Sequence, residues 1–191
     1  MPHLDAMEWN ARYQSDPQRS APKAPRSLLT EHLDLLPASG LAIDMACGTA
    51  ATGLHLAARG WRVIGLDVAE SALRLAQIEA RRQALSISFA VIDLSDLWLP
   101  GSQVDVILNF YFLLRPLWAQ YKKSLRPGGL IFFETFVWQP GDELKPEHYL
   151  QPDELRLAFT DWDILHYKEV NQPHPTHRAR GIAQLVTRKP G

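Results

Sequence analysis

Cysteine is almost absent. Cys47 is the only one in 191 residues, which excludes an internal disulfide and a cysteine-based metal cluster and leaves stability to packing. Also lacking is any apolar run long enough to cross a bilayer. The segment Met1 to Asn10 carries His3, Asp5 and Glu8 and has no apolar stretch behind a basic start. These two absences predict a soluble, cytoplasmic protein. Neither charge is in excess: 20 Lys plus Arg stand against 21 Asp plus Glu. No overall field then favours nucleic acid or anionic lipid, and a small-molecule partner is expected. With no internal repeat, low-complexity tract or interdomain linker, the length suits one domain spanning 1–191.

What is present is an alternation. Residues 1–37 read as a helical leader or lid, with helices over Asp5 to Tyr13 and Arg26 to Leu36 around a Pro- and Ser-bearing connection from Ser15 to Pro25. From 38 to 191 short apolar runs alternate with amphipathic segments, the pattern of βα units feeding a parallel sheet. Strands are expected at Leu41 to Met45, Arg62 to Leu66, Ser86 to Ile92, Val104 to Asn109 and Leu130 to Thr135. Helices are expected at Ala51 to Ala58, Glu70 to Arg82 and Pro116 to Leu125, the last closed by Pro127, Gly128 and Gly129. After a loop rich in Pro and charge (Trp138 to Glu147) come a helix near Pro152 to Phe159 and two further strands, Asp163 to Glu169 and Ile182 to Arg188. Their short connection can only join them antiparallel.

Three segments carry chemistry. Leu41 to Gly53 runs an apolar strand into a turn of small residues and a helix start, where backbone can approach a ligand closely and free N–H groups are offered. In Val63-Ile64-Gly65-Leu66-Asp67 an acidic residue ends the next strand about 20 residues later, the spacing at which a carboxylate receives the two hydroxyls of a ribose. In Ala90-Val91-Ile92-Asp93-Leu94 a third carboxylate is placed to accept from an adenine amino group. Asp44, Asp67 and Asp93, each at the carboxyl end of a strand, together describe a nucleoside pocket.

These residues, with Trp9-Asn10-Ala11-Arg12-Tyr13, Asn109-Phe110-Tyr111, Leu125-Arg126-Pro127-Gly128-Gly129 and Phe133-Glu134-Thr135-Phe136, carry a resemblance along nearly the whole chain. The sequence resembles the class I S-adenosylmethionine (SAM)-dependent methyltransferases, and more closely the small bacterial group related to tellurite-resistance and thiopurine methyltransferases. The resemblance implies an α/β fold: a doubly wound, Rossmann-like, seven-stranded sheet of order 3-2-1-4-5-7-6 with the seventh strand antiparallel and helices on both faces. It implies SAM as methyl donor, S-adenosylhomocysteine as product and no metal. It would give Asp44 the SAM amino group, pass Ala46, Cys47 and Gly48 under the methionine portion, give Asp67 the ribose and Asp93 the adenine amino group, and flank the base with Val68 and Leu94. Asn109 to Tyr111 would sit beside the reactive methyl. Glycines often stand in the family where this chain has Ala46 and Ala50; alanine can still turn there if φ stays negative.

Methyl transfer from a sulfonium needs no metal and often no strong acid, so holding nucleophile, methyl and sulfur in line is the main device. For an acceptor that carries a proton, Asn109, Tyr111 and Glu134 are the candidate catalytic residues, and Tyr111, Phe136 and Trp9 offer aromatic faces to a cation. Plainer readings stand beside these. Asn109 to Phe112 lacks the prolines of an amino-methylating signature and reads better as an apolar strand end. Trp9 and Tyr13 share a helical face that suits a lid or ordinary packing equally. Cys47 reads as a small hydrophobe. His174 and His177 lack further ligands for zinc, and Arg178, Arg180, Lys122, Lys123, Arg81 and Arg82 read as solvated charge. The leading expectation is methyl transfer to a small molecule. RNA or protein as acceptor, an NAD(P)-dependent oxidoreductase, and a non-catalytic SAM-binding module are the alternatives, and the oligomeric state is left open.

Overall fold

The computed structural model describes residues 4–21, 23–138, 149–172 and 180–191. Runs such as Leu-Ala-Ile-Asp-Met and Val-Asp-Val-Ile-Leu-Asn-Phe, rich in branched residues with little polar alternation, form strands buried on both faces. Seven strands result: β1 (Leu41–Met45), β2 (Arg62–Asp67), β3 (Ser88–Val91), β4 (Val104–Phe110), β5 (Leu125–Val137), β6 (Asp163–Gln172) and β7 (Arg180–Arg188). They make one sheet of order β3-β2-β1-β4-β5-β7-β6. The pairs from β3 to β5 are parallel, while β7 runs antiparallel to both β5 and β6. This is the doubly wound order expected from the resemblance.

The described helices are α1 (Leu4–Ser15), α2 (Pro17–Ser20), α3 (Ser27–Thr30), α4 (Ala51–Ala57), α5 (Glu70–Arg82), α6 (Leu117–Ser124) and α7 (Glu154–Ala158). Strand alternation sorts the core into two faces. Ile43, Met45, Ile107, Ile131, Phe133 and Leu185 pack toward Leu117, Tyr121, Leu155 and Phe159 of the α6–α7 side. Ala42, Val106, Leu108, Leu130, Phe132 and Val186 pack toward Leu28 and Leu29 of α3, with Leu56 and Trp61. A third, smaller cluster of Ala50, Leu54, Ala76 and Ala80 joins α4 to α5.

Three elements differ from the sequence reading. Arg26 to Leu36 is not one helix but the single turn of α3 followed by a 3-10 turn at Leu33–Leu35. Leu28 and Leu29 are adjacent and both fully buried, and Leu33, Leu35 and Leu36 pack on the same cluster, so the segment follows the sheet surface instead of presenting one helical stripe. Pro17–Ser20, read as connection, contains a helical turn. The Arg126 to Gly129 turn lies within β5, which begins at Leu125 and carries a register shift opposite Val104 and Val106. Gly128 takes φ +77°, and Gly128 and Gly129 exchange backbone hydrogen bonds with Lys189.

Candidate active site

The sheet order reverses between β1 and β4, and ligands of such sheets bind outside the carboxyl ends at that point. Asp44, next to last in β1, is 3% exposed and its Oδ2 accepts from the Gly53 N–H at 3.0 Å, which ties strand to α4. Burial, aided by the Asp67 charge, pushes its pKa up to about 7, while the Gly53 bond and Arg26 pull the other way. Asp67 closes β2: Oδ2 accepts from Gly48 N–H at 2.7 Å and Oδ1 from Ala69 N–H at 2.8 Å. Burial raises its pKa against these bonds.

The turn between them departs from expectation. Ala46, Gly48 and Ala50 all take positive φ, at 47°, 55° and 54°, so both alanines adopt the conformation a glycine would. Left-handed geometry costs an L-residue about 1–2 kcal/mol. The bonds Cys47 N–H to Leu66 O, Ala50 N–H to Cys47 O and Gly48 N–H to Asp67, at 3.0, 2.8 and 2.7 Å, hold the turn there. Burial and the two carboxylates push the Cys47 thiol well up, so it stays protonated. Its sulfur would lie 3.0 Å from a Cβ at Gly65, consistent with a packing role.

Asp93 follows β3, and its Oδ1 accepts from both the N–H and the hydroxyl of Ser95, at 2.9 and 2.8 Å, capping a 3-10 turn at Leu94–Asp96. Leu94 is buried and Val68 half-buried. Asn109 is placed differently from expectation. It pairs with Phe133 on the α6 side, is 1% exposed, donates to Phe112 O at 2.8 Å and accepts from the Tyr121 hydroxyl at 2.9 Å. Strand alternation turns it away from the face that carries Glu134, and its amide holds the chain leaving β4.

Tyr111 is the first residue past β4. It takes φ +58°, a strained value for a bulky side chain, and is held there by its N–H donating to Glu134 O at 2.7 Å. The Arg26 guanidinium sits over its ring, 4.5 Å from the centroid, and the Phe136 ring centroid lies 4.9 Å away. Burial and a hydrogen bond to the Glu134 carboxylate raise its pKa. Glu134 is 4% exposed and Oε2 accepts from Gln184 Nε2 at 2.7 Å.

Three neighbours have little or no local signature in the sequence. Arg26 reaches Tyr111 and exerts its charge on Asp44 and Tyr13, and it has no acidic ion-pair partner among the described residues. The Tyr13 hydroxyl rests on the turn, 2.3 Å from where a Cβ at Gly48 would stand; burial and Asp67 push it up to about 12. Gln184 reaches Glu134 only through the β5–β7 register. The helical spacing of Trp9 and Tyr13 could have pointed to Tyr13, but nothing next to Arg26 or Gln184 marks them. His174, His177, Arg178 and most of the Trp138 to Glu147 loop lie outside the described residues. A separate cavity of about 370 Å³ lies between α4 and α5, walled by Lys23, Thr49, His55, Leu75 and Ile78 among others, and none of the candidate site residues lines it.

A family described as "Methyltransferase domain" matches residues 42–129, from β1 through the turn inside β5. Over these residues, just under half of its length, the chain resembles a class I SAM-dependent methyltransferase domain. Curated relatives of the domain agree. The ubiquinone biosynthesis O-methyltransferase of Agrobacterium fabrum (strain C58 / ATCC 33970) is 26% identical over 156 residues, 68% of this chain and 62% of that protein. The 2-heptyl-1-hydroxyquinolin-4(1H)-one methyltransferase of Mycobacteroides abscessus is 34% identical over 137 residues, 65% of this chain and 60% of that protein. The chain thus spans about six-tenths of the length of these relatives. TehB from Haemophilus influenzae shares the methyltransferase fold at a TM-score of 0.73 and 20% identity, over 85% of this chain and 61% of that one. Among the described residues no helix is long and apolar enough to cross a membrane.

Proposed function

We propose that this chain transfers a methyl group from SAM to a small-molecule acceptor, releasing S-adenosylhomocysteine. The observation that carries the reading is the charge layout around one turn. The buried Asp44 stands next to last on the strand that leads into Ala46 to Gly48, Asp67 grips that turn from the next strand, and Arg26, with no acidic ion-pair partner among the described residues, exerts its charge on Asp44. A zwitterionic amino acid joined to a nucleoside fits this set: its ammonium against Asp44, its carboxylate toward Arg26, its ribose hydroxyls on the remaining lone pairs of Asp67. Val68, Asp93 and Leu94 border the base, with the backbone of Ala46, Cys47 and Gly48 beneath the amino-acid portion. The names of the relatives, one an O-methyltransferase and one acting on a hydroxyquinolone, support a hydroxyl-bearing small molecule as acceptor. Tyr111 and Glu134 are the residues that face it. Asn109 acts by fixing the turn that presents Tyr111.

The test is calorimetric titration with SAM, S-adenosylhomocysteine and NADH. Both adenosyl ligands should bind and NADH should not. Asp67→Ala removes ligand contacts, the bond to the turn at Gly48 and the bond to Ala69, and hydrogen bonds to a charged group are worth about 1.5–3 kcal/mol each, so affinity should fall at least roughly tenfold. Undiminished SAM affinity in that variant would count against the placement of the cofactor, and binding of NADH alone would sink the reading.

A further inference from the structure

Above the ends of β4 and β5 a carboxylate, a phenol and a carboxamide from three segments meet. Glu134 is buried and has no ion-pair partner among the described residues; it is held by the Gln184 amide at 2.7 Å and by the Tyr111 hydroxyl. A buried carboxylate is costly unless donors satisfy it, and here the donors come from β7 and from a residue in a strained backbone conformation. Such strain persists only where its surroundings enforce it, and it clusters at working sites. Phe136 continues the ring array from Tyr111 to Tyr149, whose centroid lies 6.0 Å further on.

We propose that Tyr111 and Glu134 form a two-step proton acceptor for an un-ionised aromatic hydroxyl, with Gln184 as the positioning residue that turns the carboxylate toward the phenol. This rests on the methyltransferase reading above. Tyr111 spends its one proton on Glu134, so its oxygen offers a ligand only lone pairs. An acceptor that brings its own O–H is matched to that oxygen, whereas one that arrives as an anion meets lone pairs with lone pairs. In the transfer the acceptor oxygen bonds to the methyl carbon and the carbon–sulfur bond breaks, its electron pair staying on sulfur. The acceptor proton passes to Tyr111 Oη as the Tyr111 proton passes to Glu134. The sulfonium and carboxylate charges vanish together, and Glu134 returns its proton to water after product leaves. The aromatic faces of Phe136 and Tyr149 favour a flat acceptor ring.

The experiment compares catechol, protonated at neutral pH, with 4-nitrothiophenol, already ionised there. Both are supplied with methyl-labelled SAM to the wild-type chain and to Glu134→Gln, Tyr111→Phe and Gln184→Leu, each checked by SAM calorimetry. The ratio of kcat/KM for catechol over the thiolate should fall by about 10² to 10⁴-fold in Glu134→Gln and Tyr111→Phe, the usual reach of general base catalysis. Gln184→Leu should lower kcat for catechol by a smaller factor with KM little changed. An unchanged ratio overturns the proton acceptor. Wild-type turnover of the thiolate but not of catechol overturns it too, and SAM binding with turnover of neither overturns the acceptor class. Failure of the wild-type chain to bind SAM takes down the methyltransferase reading itself, an outcome that calorimetry separates from the others.

Discussion

The two left-handed alanines differ in what surrounds them. Ala46 is half-buried and Ala50 is 1% exposed within the α4–α5 cluster. Ala46→Gly should therefore stabilise the protein by about 1 kcal/mol, because backbone strain is relieved and little packing is lost. Ala50→Gly should come out near neutral, since about 0.8 kcal/mol of buried methyl offsets the gain. Urea denaturation of the two variants measures both; equal shifts would refute the distinction. At this scale the carboxylates on β1 and β2 were legible, because Asp44 and Asp67 are set by spacing along βα units. Arg26 and Gln184 were not, because their partners are brought to them by an irregular crossing and by a strand pairing 50 residues apart in sequence. The orientation of Asn109 hangs on strand parity, which a motif match does not encode, and the sign of φ at Ala46 and Ala50 is fixed by bonds from β2 that the local sequence does not display.

Helix α1 docks through a capping exchange with a distant helix. The Asn10 side-chain oxygen accepts from the Ser71 N–H at 2.8 Å in the first turn of α5, a donor left without an intrahelical partner, and the Ser71 hydroxyl donates to Asn10 O at 3.3 Å. Ala69, at the cap position of α5, provides no side-chain cap. Asn10→Ala should cost about 1 kcal/mol, the usual value of a lost cap, and should raise amide hydrogen exchange in α1 and the first turn of α5 together. Exchange confined to α1 would show that the contact does not support α5. Strands β1, β2 and β4 were readable to within a residue because a strand buried on both faces advertises itself as an apolar run. The segment of α3 misled because a stretch lying along a sheet shows hydrophobic residues without a fixed period. The start of β5 was hidden by Pro127, Gly128 and Gly129, which read as a stop between helix and strand and instead form an irregular stretch inside the strand.

Taken as a whole, the molecule should show its buried carboxylates in its response to pH. Burial pushes the Asp44 pKa up to about 7, well above the ordinary carboxylate value of the unfolded chain. Between these values the folded chain binds more protons than the unfolded one, so this residue's contribution favours folding at low pH and is lost as pH rises toward 7. Asp67, also shifted upward by burial, contributes in the same direction. Without ligand, the melting temperature should respond to these groups by falling from pH 5 to pH 7.5, and Asp44→Asn should flatten the slope. A ligand ammonium set against Asp44 favours the ionised form, so SAM binding at pH 6 should release protons, read as a dependence of the calorimetric heat on the ionisation enthalpy of the buffer. A heat independent of buffer would show that Asp44 is already ionised or does not meet the ammonium.

The antiparallel place of β7 also sets a timetable. The carboxylates assigned to the donor lie on or just after β1, β2 and β3, while the carboxylate assigned to the acceptor is completed by Gln184, on a strand that enters the sheet beside β5 although it is the last of the seven to be translated. At ribosomal speeds of about 5–20 residues per second, on the order of ten seconds separate Asp67 from Gln184. On the proposed assignment, a nascent chain completes the carboxylates for its methyl donor well before the amide that positions the carboxylate for its acceptor.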